Sequence, residues 1–294
     1  MTDTAIEAAE LGRRFGRRRR PALDGCSFRL PAGSVCALTG PNGAGKSTLL
    51  TLAAGLLRPG GGSITVLGRP PAAARERLAY VAQKKPLHPQ LTVAGTLRLG
   101  RDLNPRRWDA RTAERIVAEG DLDPDAKIRS LSGGQRTRVA LALALGKSPE
   151  LLLLDEPMAD LDPLARHQLT AALMADAAER GTTVVMSSHV VAELEGACDH
   201  LLLLGAGRVR LAGPLDDLLS AHTLVTGRAD TPLDAHTVVE SRTTGRQLTA
   251  LVRPAGPLGD GLRADRPSLE ELVLAHLRAP EAPPLLLDTR KAAA

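Results

Sequence analysis

Apolar and polar positions in this chain alternate with two periods, and every apolar block is short. Leu151–Leu154 is an uninterrupted apolar run bounded by Ser148-Pro149-Glu150 and by Pro157. A run of that length between turn residues predicts a strand buried on both faces of a parallel sheet. Ser34–Leu38 reads the same way, and the β-branched stretch Thr182–Ser188 supplies a third strand. Leu164–Glu179 lies between the first and third runs and has a helical pattern, so the three segments make a βαβ unit. Lys46 to Ala54 is a second helix, with Gly55 at its end. Thr4–Glu10, Cys26–Leu30 and Ser63–Leu67 read as strands of a small antiparallel sheet, the last after the turn Pro59-Gly60-Gly61-Gly62. Leu87 to Arg129 is broken by prolines and holds helical stretches, notably Ala110–Glu119. Leu201–Leu204 and Arg208–Leu211 flank Gly205-Ala206-Gly207, a hairpin signal.

Near Pro214 the pattern changes. Thr223–Thr226, Thr237–Arg242 and Gln247–Arg253 are short strands. Ser268-Leu269-Glu270-Glu271 is a capping box that opens a helix with Leu269, Leu272, Val273 and Leu277 on one face. Pro280–Ala294 is rich in proline and alanine and reads as a disordered tail.

Two segments carry chemistry. Gly40-Pro41-Asn42-Gly43-Ala44-Gly45-Lys46-Ser47-Thr48 fits G-x-x-x-x-G-K-[ST] between a strand and a helix. Glycines let the backbone approach a phosphate, and the helix N-terminus favours the anion. The motif puts Lys46 on the β/γ-phosphates and the Ser47 hydroxyl on Mg²⁺. Asp155 and Glu156 follow the Leu151–Leu154 strand, at the end where ligands bind in open α/β sheets. Alone, such a pair can be a solvated cap. Beside a phosphate loop, Asp155 is a Mg²⁺ ligand and Glu156 a base for the attacking water.

A third segment, Leu131-Ser132-Gly133-Gly134-Gln135, can cap a helix running through Gln135 to Leu145. Together with the other two it makes the chain resemble the ATP-binding subunits of ABC transporters over residues 4–215. The resemblance implies that Ser132, Gly133, Gly134 and Gln135 contact the γ-phosphate of a nucleotide held by an opposing subunit. It also implies that Gln83 senses Mg²⁺ and the attacking water, that His189 hydrogen-bonds the γ-phosphate, and that Asp162 lies in the loop communicating between subunits. Phe15 stands where the family stacks an aromatic on adenine. The chain departs from the pattern at Met158-Ala159, where the family commonly has a small hydroxyl residue.

The expected fold is α/β. It comprises a P-loop NTPase core with a mostly parallel sheet, a small antiparallel subdomain and a helical signature subdomain at about 84–145, all within 4–215. An α+β accessory domain follows at 216–279 and a disordered tail at 280–294.

Composition narrows the function. The chain has 294 residues and is 43% hydrophobic, 24% charged and 1% aromatic. So few aromatics disfavour stacking on nucleic acid. Its longest apolar run, Val139–Leu145, is far short of the ~20 residues that span a bilayer. Cys26, Cys36 and Cys198 have no metal-ligand spacing, and with no signal-peptide pattern they point to a reducing cytosol. Part of the net charge of +5 comes from Arg13, Arg14, Arg17, Arg18, Arg19 and Arg20, which reads as a solvated loop. The leading expectation is an ATPase subunit, with ATP and Mg²⁺, on the cytoplasmic face of the membrane. It works as a dimer with a second ATPase chain and powers an exporter through separate permease subunits. The alternative is a soluble ATPase of the same type acting on nucleic acid or ribosomes.

Overall fold

The computed structural model describes residues 3–16, 20–191, 196–259 and 261–287. In chain order its first half contains β1 (Thr4–Arg13), β2 (Leu23–Pro31), β3 (Val35–Thr39), α1 (Lys46–Ala53), β4 (Gly61–Val66), β5 (Leu78–Val81), α2 (Val93–Leu103), α3 (Ala110–Ala118) and α4 (Gly133–Gly146). The second half contains β6 (Leu151–Asp155), α5 (Pro163–Arg180), β7 (Thr183–Ser188), β8 (His200–Gly205), β9 (Arg208–Pro214), α6 (Leu215–Ser220) and β10 (Thr223–Arg228). The chain closes with β11 (Thr237–Thr244), β12 (Gln247–Arg253), β13 (Arg263–Asp265), α7 (Leu269–Arg278) and β14 (Leu285–Leu286).

The central sheet runs β14-β9-β8-β3-β7-β6-β5 and is parallel except where β8 and β9 form the expected hairpin. The middles of β3, β6, β7 and β8 are continuous buried apolar runs because both faces are covered. Leu152, Leu154, Val184, Met186, Leu201 and Leu203 face one core, beneath α4, α5 and the C-terminal helices. Leu151, Leu153, Val185, Leu202 and Leu204 face the other, beneath α1 and the antiparallel sheet β2-β1-β4. The strand period of two thus divides one continuous leucine run between two cores. Leu151 to Leu154 are each 0% exposed, and truncating such a leucine to alanine costs about 2–5 kcal/mol.

The helical subdomain is α2, α3 and the outer part of α4. It is tied to the core at Asp109, which accepts hydrogen bonds from Thr112 Oγ1 and from Arg180 Nη2 at the end of α5, each at 2.7 Å. Burial opposes ionisation of Asp109, but these donors hold its carboxyl down at about 2.

The C-terminal part differs from expectation in two respects. The boundary at 215/216 does not separate two cores. Leu218 of α6 and Leu272 and Val273 of α7 lie in the same buried cluster as Leu203 and Leu211 of the main sheet. The sheet β11-β12-β10-β13 keeps a small cluster of its own around Val225, Leu248, Ala250 and Val252 on its other face. Second, the stretch assigned to a disordered tail at 280–294 begins with order. β14 pairs in parallel with β9, and Leu285 and Leu287 pack on the core, an apolar contribution that the proline and alanine around it hid. Residues 288–294 of that expectation lie outside the described residues.

The junction is sealed by two buried histidines. His222 Nδ1 bonds the Leu218 carbonyl at 2.6 Å, and its Nε2 lies 3.1 Å from His276 Nε2. His276 Nδ1 has no partner among the described residues. Burial, then His222, Arg210 and Arg253, push His276 from 6.5 down to about 3. The folded state therefore holds His276 neutral where the unfolded chain would protonate it. Its contribution to stability is complete above pH 6.5 and is lost as the pH falls from there toward about 3. The thermal midpoint should drop between about pH 7.5 and pH 5. It should drop less in His276→Leu, and equal acid sensitivity in the two proteins would refute the assignment.

Candidate functional site

Four adjacent parallel strands, β5, β6, β7 and β3, each end at the same edge of the sheet, and each hands over one functional segment there. The register aligns them: Asp155 pairs with Ser187, and Ser188 with Thr39. Beyond Thr39 comes the phosphate loop, beyond Val81 comes Gln83, beyond Ser188 comes His189, and Asp155-Glu156 closes β6. Chain order 40, 83, 155, 189 becomes one cluster.

The loop Gly40-Pro41-Asn42-Gly43-Ala44-Gly45 needs two of its glycines for space. A Cβ at Gly40 would overlap the Leu204 carbonyl oxygen, and one at Gly45 would overlap that of Ala22; their φ angles are +145° and +107°. Gly45 opens α1 with no capping side chain and no acidic residue in the first turn. Helices α2, α3, α4, α5 and α7 are capped by Thr92, Asp109, Ser132, Asp162 and Ser268. The first N–H groups of α1 thus lack the side-chain acceptor that those five helices have, as do those of the short α6 after Pro214, and beside the glycine loop they are the donors that suit a phosphate.

Lys46 is 6% exposed, and its ammonium donates to the carbonyls of Gly40 at 2.7 Å and Pro41 at 3.4 Å. Burial lowers its pKa, against the raising influence of Glu156 and Asp155. Ser47 and Thr48 continue into the first turn of α1. The Ser47 hydroxyl donates to Asp155 Oδ1 at 3.1 Å, and Ser187 donates to the same oxygen at 2.9 Å. Tyr80 OH lies 3.5 Å from Asp155 Oδ2. Burial first, and then Asp155, raise the Tyr80 pKa, so it stays a neutral donor. A buried carboxylate and a hydroxyl, all hard oxygens, form a donor set of the kind Mg²⁺ takes together with phosphate oxygens and water.

Glu156 is the centre of a second group. Its N–H donates to Ser187 Oγ at 2.9 Å, Gln83 Nε2 donates to its Oε2 at 3.2 Å, and His189 Nδ1 lies 3.4 Å from its Oε1. Lys46 Nζ is 3.9 Å from that same oxygen. Its backbone takes φ +47°, a left-handed conformation that is costly for glutamate and persists where the surroundings over-determine it. The carboxylate is 13% exposed and opens on a recess lined by His189, Ser188, Ala159 and Met158. A base held by three neighbours at the edge of a phosphate cradle can orient and deprotonate a water.

The partners of the other expected residues are outside this cluster. Ser132 is exposed and caps α4 in a reciprocal box with Gln135, by bonds of 3.2 and 2.9 Å. Gly133 and Gly134 pack against Asp160 and Leu161. Asp162 is exposed and caps α5 through the Ala165 N–H at 2.9 Å. Among the described residues no hydrogen bond joins any of these to the phosphate loop. Phe15 is 41% exposed. Arg13, and not the adjacent Arg14, sits over its ring at 5.0 Å from the centroid. Arg17, Arg18 and Arg19 lie outside the described residues. Sequence reasoning missed Tyr80 and Ser187 as partners of Asp155. The hydroxyl end of Thr182–Ser188 was visible, but not the register that sets Ser187 opposite Asp155.

A family model described as ABC transporter matches residues 23–159. Nod factor export ATP-binding protein I of Rhizobium meliloti (strain 1021) is 39% identical over 214 residues, which cover 69% of this chain and 62% of that protein. The chain therefore spans less than two thirds of the length of that relative. The molybdenum import ATP-binding protein ModC of Paramagnetospirillum magneticum (strain ATCC 700264 / AMB-1) is 34% identical over 257 residues, 82% of this chain and 70% of its own. A solved ATP-binding subunit of an ABC transporter superposes with a TM-score of 0.66 at 30% identity, covering 74% of this chain and 92% of its own.

If Glu156 activates water, Glu156→Gln should lower ATP turnover by about 10²–10⁴ while leaving nucleotide affinity intact. A phosphate-release assay beside calorimetry checks this, and turnover near that of the unmutated protein would place the base elsewhere.

Proposed function

The chain belongs to the ABC transporter family as an ATP-binding component, and we propose that it hydrolyses ATP to power a membrane transporter whose permease subunits are separate chains. The observation that supports this most is the convergence of Lys46, Asp155, Glu156, Gln83 and His189 at the carboxyl ends of four neighbouring strands. The first N–H groups of α1, with no side-chain cap, and Lys46 bind the phosphates. Ser47, Asp155 and Gln83 hold Mg²⁺, which when bound neutralises charge on the phosphate oxygens. Glu156 orients and deprotonates water, Gln83 and His189 hold Glu156 in place, and His189 reaches the γ-phosphate. Phe15 offers its exposed ring to the adenine, and Gly40 to Thr48 hold the phosphates.

The site needs a second chain. Ser132 is exposed and Gly133, Gly134 and Gln135 are partly buried at the N-terminus of α4, Asp162 is exposed in its turn, and among the described residues none of them bonds this chain's own phosphate loop. A second ATPase chain, a copy or a relative, brings its signature turn to the nucleotide. Turnover per chain should therefore rise with protein concentration. Ser132→Arg, which puts bulk and charge at the contact, should abolish it while leaving ATP binding unchanged. A concentration-independent rate from a sedimentation-proven monomer would contradict this.

Among the described residues no helix is long and apolar enough to cross a membrane. In this reading a permease supplies the attachment to the cytoplasmic face. A groove of roughly 450 Å³ between β5 and α4, lined by Leu56, Tyr80, Lys85, Leu87, Leu143 and Lys147, is the surface that fits its docking helix. It adjoins the segment from Lys84 to Leu99. Leu87 is partly buried, but Leu56 is 59% exposed with no apolar cover. Transport proteins among the relatives favour this reading over one acting on nucleic acid. They include both an export and an import protein, and the higher identity of the first, 39% against 34%, favours the outward direction. Leu56→Glu should reduce recovery of the chain in the membrane fraction of host cells several-fold while sparing ATP binding. Equal recovery with and without the permease gene would refute the docking.

A further inference from the structure

We propose that Lys85 and Asp160 are a positioning pair, an electrostatic latch that holds the Gln83 loop against the turn leaving Glu156. Lys85 follows Gln83 by two residues, and Asp160 follows Glu156 by four. The side chain of Lys85 is 4% exposed, and its ammonium donates to Asp160 Oδ2 at 2.5 Å. A buried ammonium is costly unless a carboxylate answers it, and removal of one partner from such a pair strands the other. Asp160 is therefore what allows Lys85 to remain inside.

The backbones on both sides are built to hold this pair. Lys85 takes φ +45°, in a tight turn closed by its N–H to the Ala82 carbonyl at 2.9 Å and by Leu87 N–H to its own carbonyl at 2.7 Å. A left-handed lysine is a strained choice, tolerated where a contact fixes it. The facing turn is equally tight: Ala159 N–H reaches the Glu156 carbonyl at 3.4 Å, and Leu161 N–H that of Met158 at 3.2 Å. The two loops are thus bridged twice, by Gln83 to Glu156 at 3.2 Å and by Lys85 to Asp160. The first bridge touches the candidate base and the second does not.

Asp160 also carries the signature turn. A Cβ built at Gly133 would stand 3.1 Å from the Asp160 Cβ, and one at Gly134 would stand 3.4 Å from the Asp160 carbonyl oxygen. Lys85 itself lines the groove between β5 and α4. One ion pair therefore spans three pieces: the groove wall, the turn after the base and the start of α4. A shift of Lys85 toward or away from the groove is carried to Asp160, and Asp160 bears on Glu156 and on Gly133 together. Neither residue meets the reacting atoms. Their part is to keep Gln83 and Glu156 at working distance.

This inference rests on the ATPase reading, and the experiment separates the two. The full chain is prepared unmutated, as Lys85→Met, as Asp160→Asn and as the reversal Lys85→Glu/Asp160→Lys. Each single variant should lose about tenfold to a hundredfold in kcat, since small misplacement of catalytic groups has costs of that order. KM and ATP affinity should stay within about twofold, the split that marks a transition-state effect. The reversal should recover most of kcat, because it restores the pair. Single variants with unchanged kcat, losses with no recovery in the reversal, or a parallel fall in ATP affinity would each overturn the latch. Should Lys85→Met not fold, Asp160→Asn, on a half-exposed side chain, decides the matter with the same criteria. If the unmutated chain binds ATP but hydrolyses none, the ATPase reading fails by itself. The latch is then judged by hydrogen exchange: Asp160→Asn must speed exchange in both 83–87 and 157–161 relative to the rest of the chain, and unchanged exchange there overturns it.

Discussion

Everything at the site depends on the parallel register of β5, β6, β7 and β3. Parallel strands end at one edge, so whatever follows each strand arrives at the same place. Register is held by apolar burial on both faces. Leu152 and Leu154 belong to one core, and Leu151 and Leu153 to the other. A slip of one residue in β6 would exchange those faces and would carry Asp155 away from Ser187, its partner in β7. Four leucines with no exposure make that exchange very costly. The Asp155 carboxylate is thus positioned by hydrocarbon packing as well as by its polar contacts.

The polar contacts then settle charge within that frame. Lys46, Asp155 and Glu156 are brought together in a part of the fold with little water. Asp155 takes hydroxyl donors from Ser47 and Ser187, and Lys46 takes carbonyls from its own loop. Glu156 is shared among Gln83, His189 and, at longer range, Lys46. Two left-handed non-glycine residues, Lys85 and Glu156, stand at the starts of the two loops that face each other. Part of the chain's conformational cost therefore lies in the loops where Gln83 and Glu156 meet. The strands on either side, buried at both faces, are stiff enough to bear it.

The sequence revealed those parts whose signal is local. The phosphate loop, the carboxylate strand, the helix cap at Ser132, the capping box at Ser268 and the hairpin after Leu204 each announce themselves within ten residues. The register of neighbouring strands carries no such signal, which is why Tyr80 and Ser187 went unassigned as partners of Asp155. Lys85 and Asp160 are far apart in sequence, and each alone reads as an ordinary solvated charge. The boundary at 215/216 followed a real change in composition. Composition does not reveal that an amphipathic helix such as α7 has its apolar face on the preceding sheet. Order in Leu285–Leu287 was masked by neighbouring proline and alanine, since a strand of two residues is below any periodicity.

The central sheet also explains why the C-terminal part cannot be treated as a passenger. β9 pairs with β8 on one side and with β14 on the other, so the last described strand belongs to the same sheet as the phosphate loop. Arg210, on β9, donates to the carbonyls of Ala279 and Ala282 at the end of α7, and His276 of α7 meets His222 beyond α6. The Leu204 carbonyl, on β8, is the atom that forbids a side chain at Gly40. A continuous path of strands and buried contacts therefore runs from α7 through β9 and β8 to the first glycine of the phosphate loop. The C-terminal helices cover Leu203 and Leu211, and those residues support the strand against which the loop is closed. Nucleotide cradle and C-terminal unit pack on opposite faces of one sheet, and through that sheet the stability of the first includes the packing of the second.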